Sequence, residues 1–250
     1  MVLKVFHILV IASKKNFIME NLKVHQLDHL RSGAFFKEPE VEKKIDPKLV
    51  FDELDFKLRK YLKFNAFPII EEQENEQKEK FRQFCIDYMK KRKVDEETYL
   101  GFYCFVRGPL KKYIGIPFYD ETEEKLINIQ GRRMFTPKNE KEEDLNPKYK
   151  FLKDSDAGIE IDNKPIWGQW RLDKSKTVIM CEGTLDAPAF DNGAATCGAS
   201  ISITLIDKIK KDYPDRIWCI DNFWLDKKGK ELTTQLLTLG EKCFIIPPDM

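Results

Sequence analysis

The sequence predicts an α/β protein in which a mixed, mostly antiparallel sheet with α+β character precedes a mainly parallel sheet. Two patterns predict this fold class. Short β-rich runs separated by turn residues occupy positions 99–135, as in an antiparallel sheet, and apolar strands alternate with helical segments from position 176 onward. The chain has 250 residues and is 42% hydrophobic. It can therefore bury a sizeable core, in one large domain or two small ones.

The charges of the chain nearly cancel. There are 43 Lys and Arg residues against 42 Asp and Glu residues, for a formal net charge of +1. This balance excludes a uniformly basic protein that coats nucleic acid or a membrane surface, so a polyanion would require a local basic patch. The longest apolar run near the start, residues 8–12, is far shorter than the roughly 20 residues of a membrane span. We expect a soluble, cytoplasmic protein that does not bind membranes (in the host cytoplasm if the protein is viral).

The cysteines and histidines give no zinc-ligand spacing. None of the six cysteines forms a Cys-x-x-Cys pair, and only three histidines are present. Runs such as Trp218-Cys219-Ile220 are typical of buried thiols in a reducing compartment. We therefore expect no zinc.

The first half of the chain begins with a segment that is hard to assign. Residues 1–45 stay unassigned beyond a buried strand expected near residues 2–12. From residue 46 to 93 the pattern is helical. Within it, an apolar stripe at helical spacing predicts an amphipathic helix: Phe81, Phe84, Cys85, Tyr88 and Met89. The basic run 90–93 ends this helix, where positive charges interact favourably with the negative end of the helix dipole. A contact with a phosphate backbone is the alternative role for this run.

Strands are predicted over residues 99–106, 114–120 and 125–129, and residues 136–147 read as a charged loop. In the second half, apolar strands are predicted over residues 177–181, 216–220 and 242–246. Helices are predicted around residues 203–210 and 232–239, the latter ending at Gly240. Strands that alternate with helices in this way favour a parallel sheet.

Acidic residues follow two of the predicted parallel strands. Glu182 and Asp186 come after the first, and Asp221 after the second, with Asp226 a few residues on. Functional groups gather at the carboxyl ends of parallel strands. Crowded carboxylates repel unless a cation lies between them, and oxygen ligands without His or Cys favour Mg²⁺ or Mn²⁺. The pattern indicates phosphoryl or nucleotidyl transfer, and helix capping by the acids is the alternative.

These acids lie in segments that resemble a Toprim domain. Residues 178–187, VIMCEGTLDA, resemble its first motif, and residues 217–231, IWCIDNFWLDKKGKE, resemble its second acidic motif. Residues 192–198 resemble the second strand and its glycine. Toprim domains occur in topoisomerases, nucleases and primases, so these segments alone do not select a reaction.

The middle of the chain resembles bacterial-type (DnaG-like) DNA primases, above all those of tailed phages. IGIPFYD at residues 114–120 is similar to the start of their basic subdomain, and INIQGRR at 127–133 to their glycine-arginine motif. Pro147-Lys148-Tyr149 and residues 165–168 resemble the next two markers, in the same order. The resemblance covers roughly residues 80–250. It implies a basic N-terminal subdomain over residues 46–172 and a Toprim domain over residues 173–250.

The resemblance implies synthesis of RNA primers on single-stranded DNA from ribonucleoside triphosphates, with a replicative helicase as partner. By matching position, Glu182, Asp186 and Asp221 would be catalytic, and Glu182, Asp221 and Asp226 would hold Mg²⁺ or Mn²⁺. Five basic residues would bind nucleic acid or nucleotide: Arg132, Arg133, Lys148, Lys111 and Lys112. For Arg132 and Arg133 the alternative is an exposed hairpin end, and for Lys148 a solvated loop.

Two features depart from the primase pattern. Phe223 stands where the second acidic motif has its second Asp, which leaves Asp226 as the candidate substitute. The cysteines of the zinc-binding domain with which these primases begin are absent from this sequence. A Toprim-type nuclease and a catalytically silent single-stranded nucleic-acid-binding replisome subunit are therefore the alternative functions.

Overall fold

A computed structural model describes residues 47–153, 165–198, 201–221 and 223–245, with side chains described from residue 52 onward. The segment 1–45, with its expected strand, lies outside the described residues. Two sheets lie in succession along the chain, the first antiparallel and the second parallel. The predicted α/β fold class is thus confirmed.

The antiparallel sheet has five strands in sequence order. Its strands are β1 (Ala66–Pro68), β2 (Tyr103–Phe105), β3 (Tyr113–Tyr119), β4 (Leu126–Arg133) and β5 (Tyr149–Phe151). The long β3–β4 hairpin places Gly115 opposite Gly131. A Cβ at Gly131 would lie 2.8 Å from both Leu110 Cδ2 and Tyr113 Cδ1. Glycine is required there because the neighbouring side chains pack directly against the backbone.

The parallel sheet has four strands in the order β7-β6-β8-β9. Its strands are β6 (Val178–Cys181), β7 (Gly193–Ala195), β8 (Arg216–Cys219) and β9 (Cys243–Phe244). Cys181 of β6 lies opposite Cys219 of β8. The residues that follow these two strands therefore emerge side by side at one edge of the sheet.

Six α-helices are described, and most begin at a side chain that caps the first turn. They are α1 (Pro47–Asn65), α2 (Glu76–Lys91), α3 (Glu96–Leu100), α4 (Glu140–Leu145), α5 (Ile203–Asp212) and α6 (Lys227–Thr238). Asn75, Asp95 and Asn139 cap α2, α3 and α4. Ser202 and Asp226 cap α5 and α6 in the same way. Among the described residues, no helix is long and apolar enough to cross a membrane.

The two sheets share one hydrophobic core. Buried side chains of β3, including Ile114 and Ile116, belong to the same cluster as Cys181, Leu185 and Ala195 of the parallel-sheet unit. Trp167 joins this cluster and forms an isolated β-bridge with Ala195. The common core fixes the position of one sheet relative to the other.

Three predicted segments are corrected by the structure. The helical pattern predicted over residues 46–93 is interrupted, because α1 ends at Asn65 and β1 follows over Ala66–Pro68. Residues 99–106 do not form one strand, because Tyr99 and Leu100 end the short helix α3 and β2 begins only at Tyr103. Asp95 starts that helix by accepting a 2.8 Å hydrogen bond from the Thr98 amide. The charged loop predicted over 136–147 contains α4, because Asn139 accepts a 2.9 Å bond from the Glu142 amide.

Candidate active site

A tight turn at the end of β6 brings Glu182 and Asp186 to the edge of the parallel sheet. The Asp186 amide donates a 3.1 Å hydrogen bond to the Gly183 carbonyl. A Cβ at Gly183 would lie only 2.2 Å from Asp186 Oδ2. Glycine at this position therefore allows the Asp186 carboxylate to fold back over the turn, beside Glu182.

The end of β8 supplies the second acidic segment. Asp221 follows this strand, and a Cβ at Gly229 in the first turn of α6 would lie 2.7 Å from the Asp221 carbonyl oxygen. Asp226 caps the same helix by accepting hydrogen bonds from the Lys228 amide at 3.1 Å and the Gly229 amide at 3.2 Å. Helix capping, the alternative role for these acids, is therefore what the hydrogen bonds of Asp226 show. The charge of Asp226 nevertheless raises the pKa of Glu182.

Glu182 and Asp186 lie within electrostatic reach of the other carboxylates at this edge. Burial, followed by the charges of Asp221, Asp226 and Asp186 in that order, raises the pKa of Glu182 to about 7. Glu182 Oε2 is buried without a hydrogen-bond partner. Burial and then the charge of Asp221 also raise the pKa of Asp186. Negative charge is therefore concentrated at this edge of the sheet.

Three cations that precede the parallel sheet in sequence face this edge. Lys148 lowers the pKa of both Glu182 and Asp186, and it is an exposed residue directly before β5. Arg92, at the C-terminal end of α2, brings Nη2 to 4.0 Å from Asp186 Oδ1. Arg132 also lowers the pKa of Asp186. The site is thus acidic on one side and basic on the other.

Arg132 is held between two tyrosines. It lies opposite Tyr149 in the β4–β5 pair, and its guanidinium carbon is 4.7 Å from the centre of the Tyr149 ring. Its Nε donates a 2.8 Å hydrogen bond to the Tyr88 hydroxyl. Arg132 is only 5% exposed, and its Nη1 is buried without a hydrogen-bond partner. The alternative of an exposed hairpin end is therefore wrong for Arg132.

The other basic candidates differ in their surroundings. The side chain of Arg133 is 9% exposed and donates to the Asn146 carbonyl oxygen and, at 2.9 Å, to Glu143 Oε1. The alternative of an exposed hairpin end is therefore wrong for Arg133 too. The two hydrogen bonds of Arg133 connect β4 to the segment that contains α4. Lys111 and Lys112 are exposed in the turn before β3, near the Arg133 end of the hairpin.

Sequence reasoning missed three contributors to the site. Arg92 belongs to a basic run interpreted as a helix end, and only the packing of α2 brings it to Asp186. Tyr88 belongs to the apolar stripe of the same helix. Tyr149 stands in the Pro147-Lys148-Tyr149 marker, which is the one signal that could have identified it. All three act on the basic side of the site.

The carboxylates suit a hard divalent cation, but the protein side chains would supply only some of its ligands. Within the described ranges, no group of three or more His, Cys, Asp and Glu side chains lies close enough to hold a metal ion. The unpartnered Glu182 Oε2 and the mutually repelling carboxylates nevertheless favour a cation. Mg²⁺ is commonly held by one or two carboxylates together with water and substrate phosphates. The residues present fit that mode of binding.

The fold and site define a mixed α/β protein with an acidic strand edge that faces a buried arginine and two further cations. No protein-family model matches the chain, and no curated protein matches it. A solved structure of the DnaG catalytic core is similar to it, with a TM-score of 0.48 and 15% sequence identity over 76% of this chain. The chain spans 65% of the length of that structure.

Proposed function

We propose that this protein synthesises short RNA primers on single-stranded DNA, as a nucleotidyltransferase of viral or phage-type DNA replication. The observation that carries the proposal is Glu182, whose Oε2 has no hydrogen-bond partner and whose pKa is raised to about 7 by burial and by three nearby acids. The Toprim-like and primase-like motifs of the sequence support the same activity. Arg132 and Lys148, both from the primase-like motifs, act electrostatically on these acids.

Each side of the site would perform a different task. Glu182 and Asp221 would hold Mg²⁺, with Asp226 contributing charge from the start of α6. When held by these carboxylates, Mg²⁺ would supply positive charge that neutralises the phosphates of the incoming nucleotide. Asp186, beside Arg92, would fix the geometry of the turn.

On the basic side, Arg132 would supply a positive charge toward the substrate phosphates, with its guanidinium oriented by Tyr88 and Tyr149. Lys148 would supply a second positive charge from the adjacent loop. A guanidinium that is already oriented loses little freedom when it binds phosphate. The basic side would therefore position the phosphates of the substrate, and it would neutralise charge that develops on them.

The experiment combines the purified full chain with a single-stranded DNA template, ribonucleotides and Mg²⁺. Glu182→Gln is the test variant, and Glu74→Gln, an exposed glutamate in the turn before α2, is the matched control. We expect labelled short RNA from the wild type and the control and none from Glu182→Gln. Full activity of Glu182→Gln would overturn the site assignment, and shortened DNA in place of RNA would identify a nuclease.

A second function, that of a catalytically silent single-stranded nucleic-acid-binding subunit, is favoured by two observations. No three-ligand metal group is found among the described residues. Both carboxylate oxygens of Asp226 accept hydrogen bonds from the amides of α6. DNA retention with neither RNA synthesis nor DNA cleavage would establish this second function.

A further inference from the structure

The loop between β8 and α6 exposes two large apolar side chains beside the acidic edge. Trp224 is 52% exposed and Leu225 is 86% exposed, and both lie between Asp221 and Asp226. By contrast, Trp167 is 2% exposed, in line with the usual burial of most of a tryptophan's surface. Adjacent exposed apolar residues next to a polar site are typical of a surface that contacts a ligand.

The rings of this loop are arranged edge to face. The centroids of Phe223 and Trp224 are 5.0 Å apart, and their planes meet at 81°. Lys230 Nζ lies 5.6 Å from the centre of the Phe223 ring, so a cation covers one partner of the pair. These contacts fix how the exposed indole is oriented relative to the helix behind it.

Three lysines follow the aromatic pair in the sequence. Lys227, Lys228 and Lys230 are exposed in the first turn of α6, and the side chain of Lys227 is 90% exposed. Two acids lie near these lysines, since Lys227 Nζ is 3.9 Å from Glu231 Oε1 and Asp226 caps the same turn. The positive end of the α6 dipole points the same way. Exposed aromatic rings flanked by cations are the combination with which proteins bind single-stranded nucleic acids.

We propose that Trp224, held edge to face by Phe223, forms a stacking platform for an unpaired base of a nucleic-acid strand, with the lysines of α6 contacting its phosphates. This proposal rests on the proposed function, since the platform would hold the strand beside Glu182 and Asp221. Three separate lysines suit a repeating backbone better than a single triphosphate. The surrounding charge also disfavours a protein partner, because the centres of protein interfaces are depleted of charged residues.

The test measures binding of a labelled single-stranded oligo(dT) to the full chain by fluorescence anisotropy, without nucleotides or divalent cations. Trp224→Ala should weaken binding about 5- to 150-fold, the equivalent of about 1–3 kcal/mol for one stacked base. Trp224→Phe should retain most of the affinity because it keeps an aromatic face. Phe56→Ala is the matched control, since Phe56 is 66% exposed on α1, and it should bind like the wild type.

Tryptophan fluorescence provides a second measurement that reports directly on contact with the Trp224 ring. Oligo(dT) should quench the tryptophan fluorescence of the wild type, and Trp224→Phe should remove most of that quenching. Unchanged affinity of Trp224→Ala would overturn the proposal. Quenching by a ribonucleoside triphosphate but not by oligo(dT), or self-association lost in Trp224→Ala, would overturn it too.

The outcome is separable from that of the primer assay. Binding that depends on Trp224 in a protein that makes no RNA would uphold the platform and refute the proposed enzyme. If the wild type makes primers and the Trp224→Ala variant binds DNA normally, the proposed enzyme is upheld and the platform is refuted.

Discussion

Thr184 Oγ1 donates a 2.9 Å hydrogen bond to Gln130 Oε1, and both side chains are buried. Thr184 lies in the acidic turn after β6, whereas Gln130 lies in β4, two residues before Arg132 and on the same face of that strand. Burial raises the pKa of Tyr149, and the Thr184 hydroxyl acts in the opposite direction. One threonine therefore joins the acidic and basic sides of the site.

Removing this hydrogen bond should lower the stability of the protein mainly when one buried partner remains without the other. Thr184→Val leaves the buried Gln130 amide unsatisfied and should lower the free energy of unfolding by about 1–3 kcal/mol. The double variant Thr184→Val/Gln130→Leu should lose less than the sum of the two single variants. Urea unfolding of the four proteins measures the coupling, and strict additivity would show that the bond does not join the sheets energetically.

Glu182→Gln should stabilise the protein at high pH and not at low pH. Burial and the nearby acids raise the folded-state pKa of Glu182 to about 7, above its ordinary value of 4.5. Between these values the unfolded chain releases a proton that the folded protein keeps, so the wild type loses stability as the pH rises. The glutamine variant should gain up to about 3 kcal/mol at pH 8 and nothing below pH 4.5.

This difference is measured by urea unfolding at both pH values in EDTA, which removes divalent cations. Glu74→Gln serves as the control and should show no pH-dependent gain. An equal effect of Glu182→Gln at pH 4.5 and pH 8 would contradict the assigned environment of Glu182.

Two glycine substitutions should separate the site from the fold. In Gly183→Ala the new Cβ would meet Asp186 Oδ2, the end of a side chain that can rotate away. We expect stability to change by less than about 1 kcal/mol while primer synthesis falls sharply. In Gly193→Ala the Cβ would lie 2.1 Å from the Ala187 carbonyl oxygen, which is backbone.

Gly193→Ala should therefore destabilise the protein by about 1–3 kcal/mol or more. Thermal unfolding and the primer assay on both variants test the pair. The expectation fails if Gly183→Ala unfolds as readily as Gly193→Ala, or if it retains full activity with an unchanged fold.

Arg132→Lys should weaken nucleotide binding although the charge is kept. Lysine cannot reproduce both the hydrogen bond to Tyr88 and the contact with the Tyr149 ring. We expect about tenfold weaker binding of a labelled ribonucleoside triphosphate, equivalent to about 1.4 kcal/mol. Arg59→Lys, at an exposed position of α1 that is paired with Asp55, is the matched control and should bind normally. Equal binding by all three proteins would remove Arg132 from the substrate site.

The acidic side of the site could be predicted from sequence because its geometry is local to two strands. Residues 178–181 and 216–219 are short buried strands, and their parallel pairing makes Glu182 and Asp221 neighbours. Periodicity and turn residues are sufficient for such an inference.

The basic side could not be predicted in the same way, because its geometry depends on long-range packing. The exposed hairpin end stayed the alternative for Arg132, since nothing in its own segment reveals that β5 pairs with β4. Arg92 reaches Asp186 only through the docking of α2. Helix α4 was missed because its Asn139 cap lies in a run of charges that resembles a loop.

Paired strands are close in sequence in the antiparallel sheet and farther apart in the parallel sheet, and this difference affects how the molecule folds. Strands β3 and β4 are consecutive and close through a short turn, whereas β6 and β8 pair across a segment that contains β7 and α5. Local hairpins form faster than contacts between distant parts of a chain. We therefore expect Arg132 to reach its place in β4 early and Asp221 to reach the edge of its sheet late. The acidic and basic sides would then meet only in the last stage of folding.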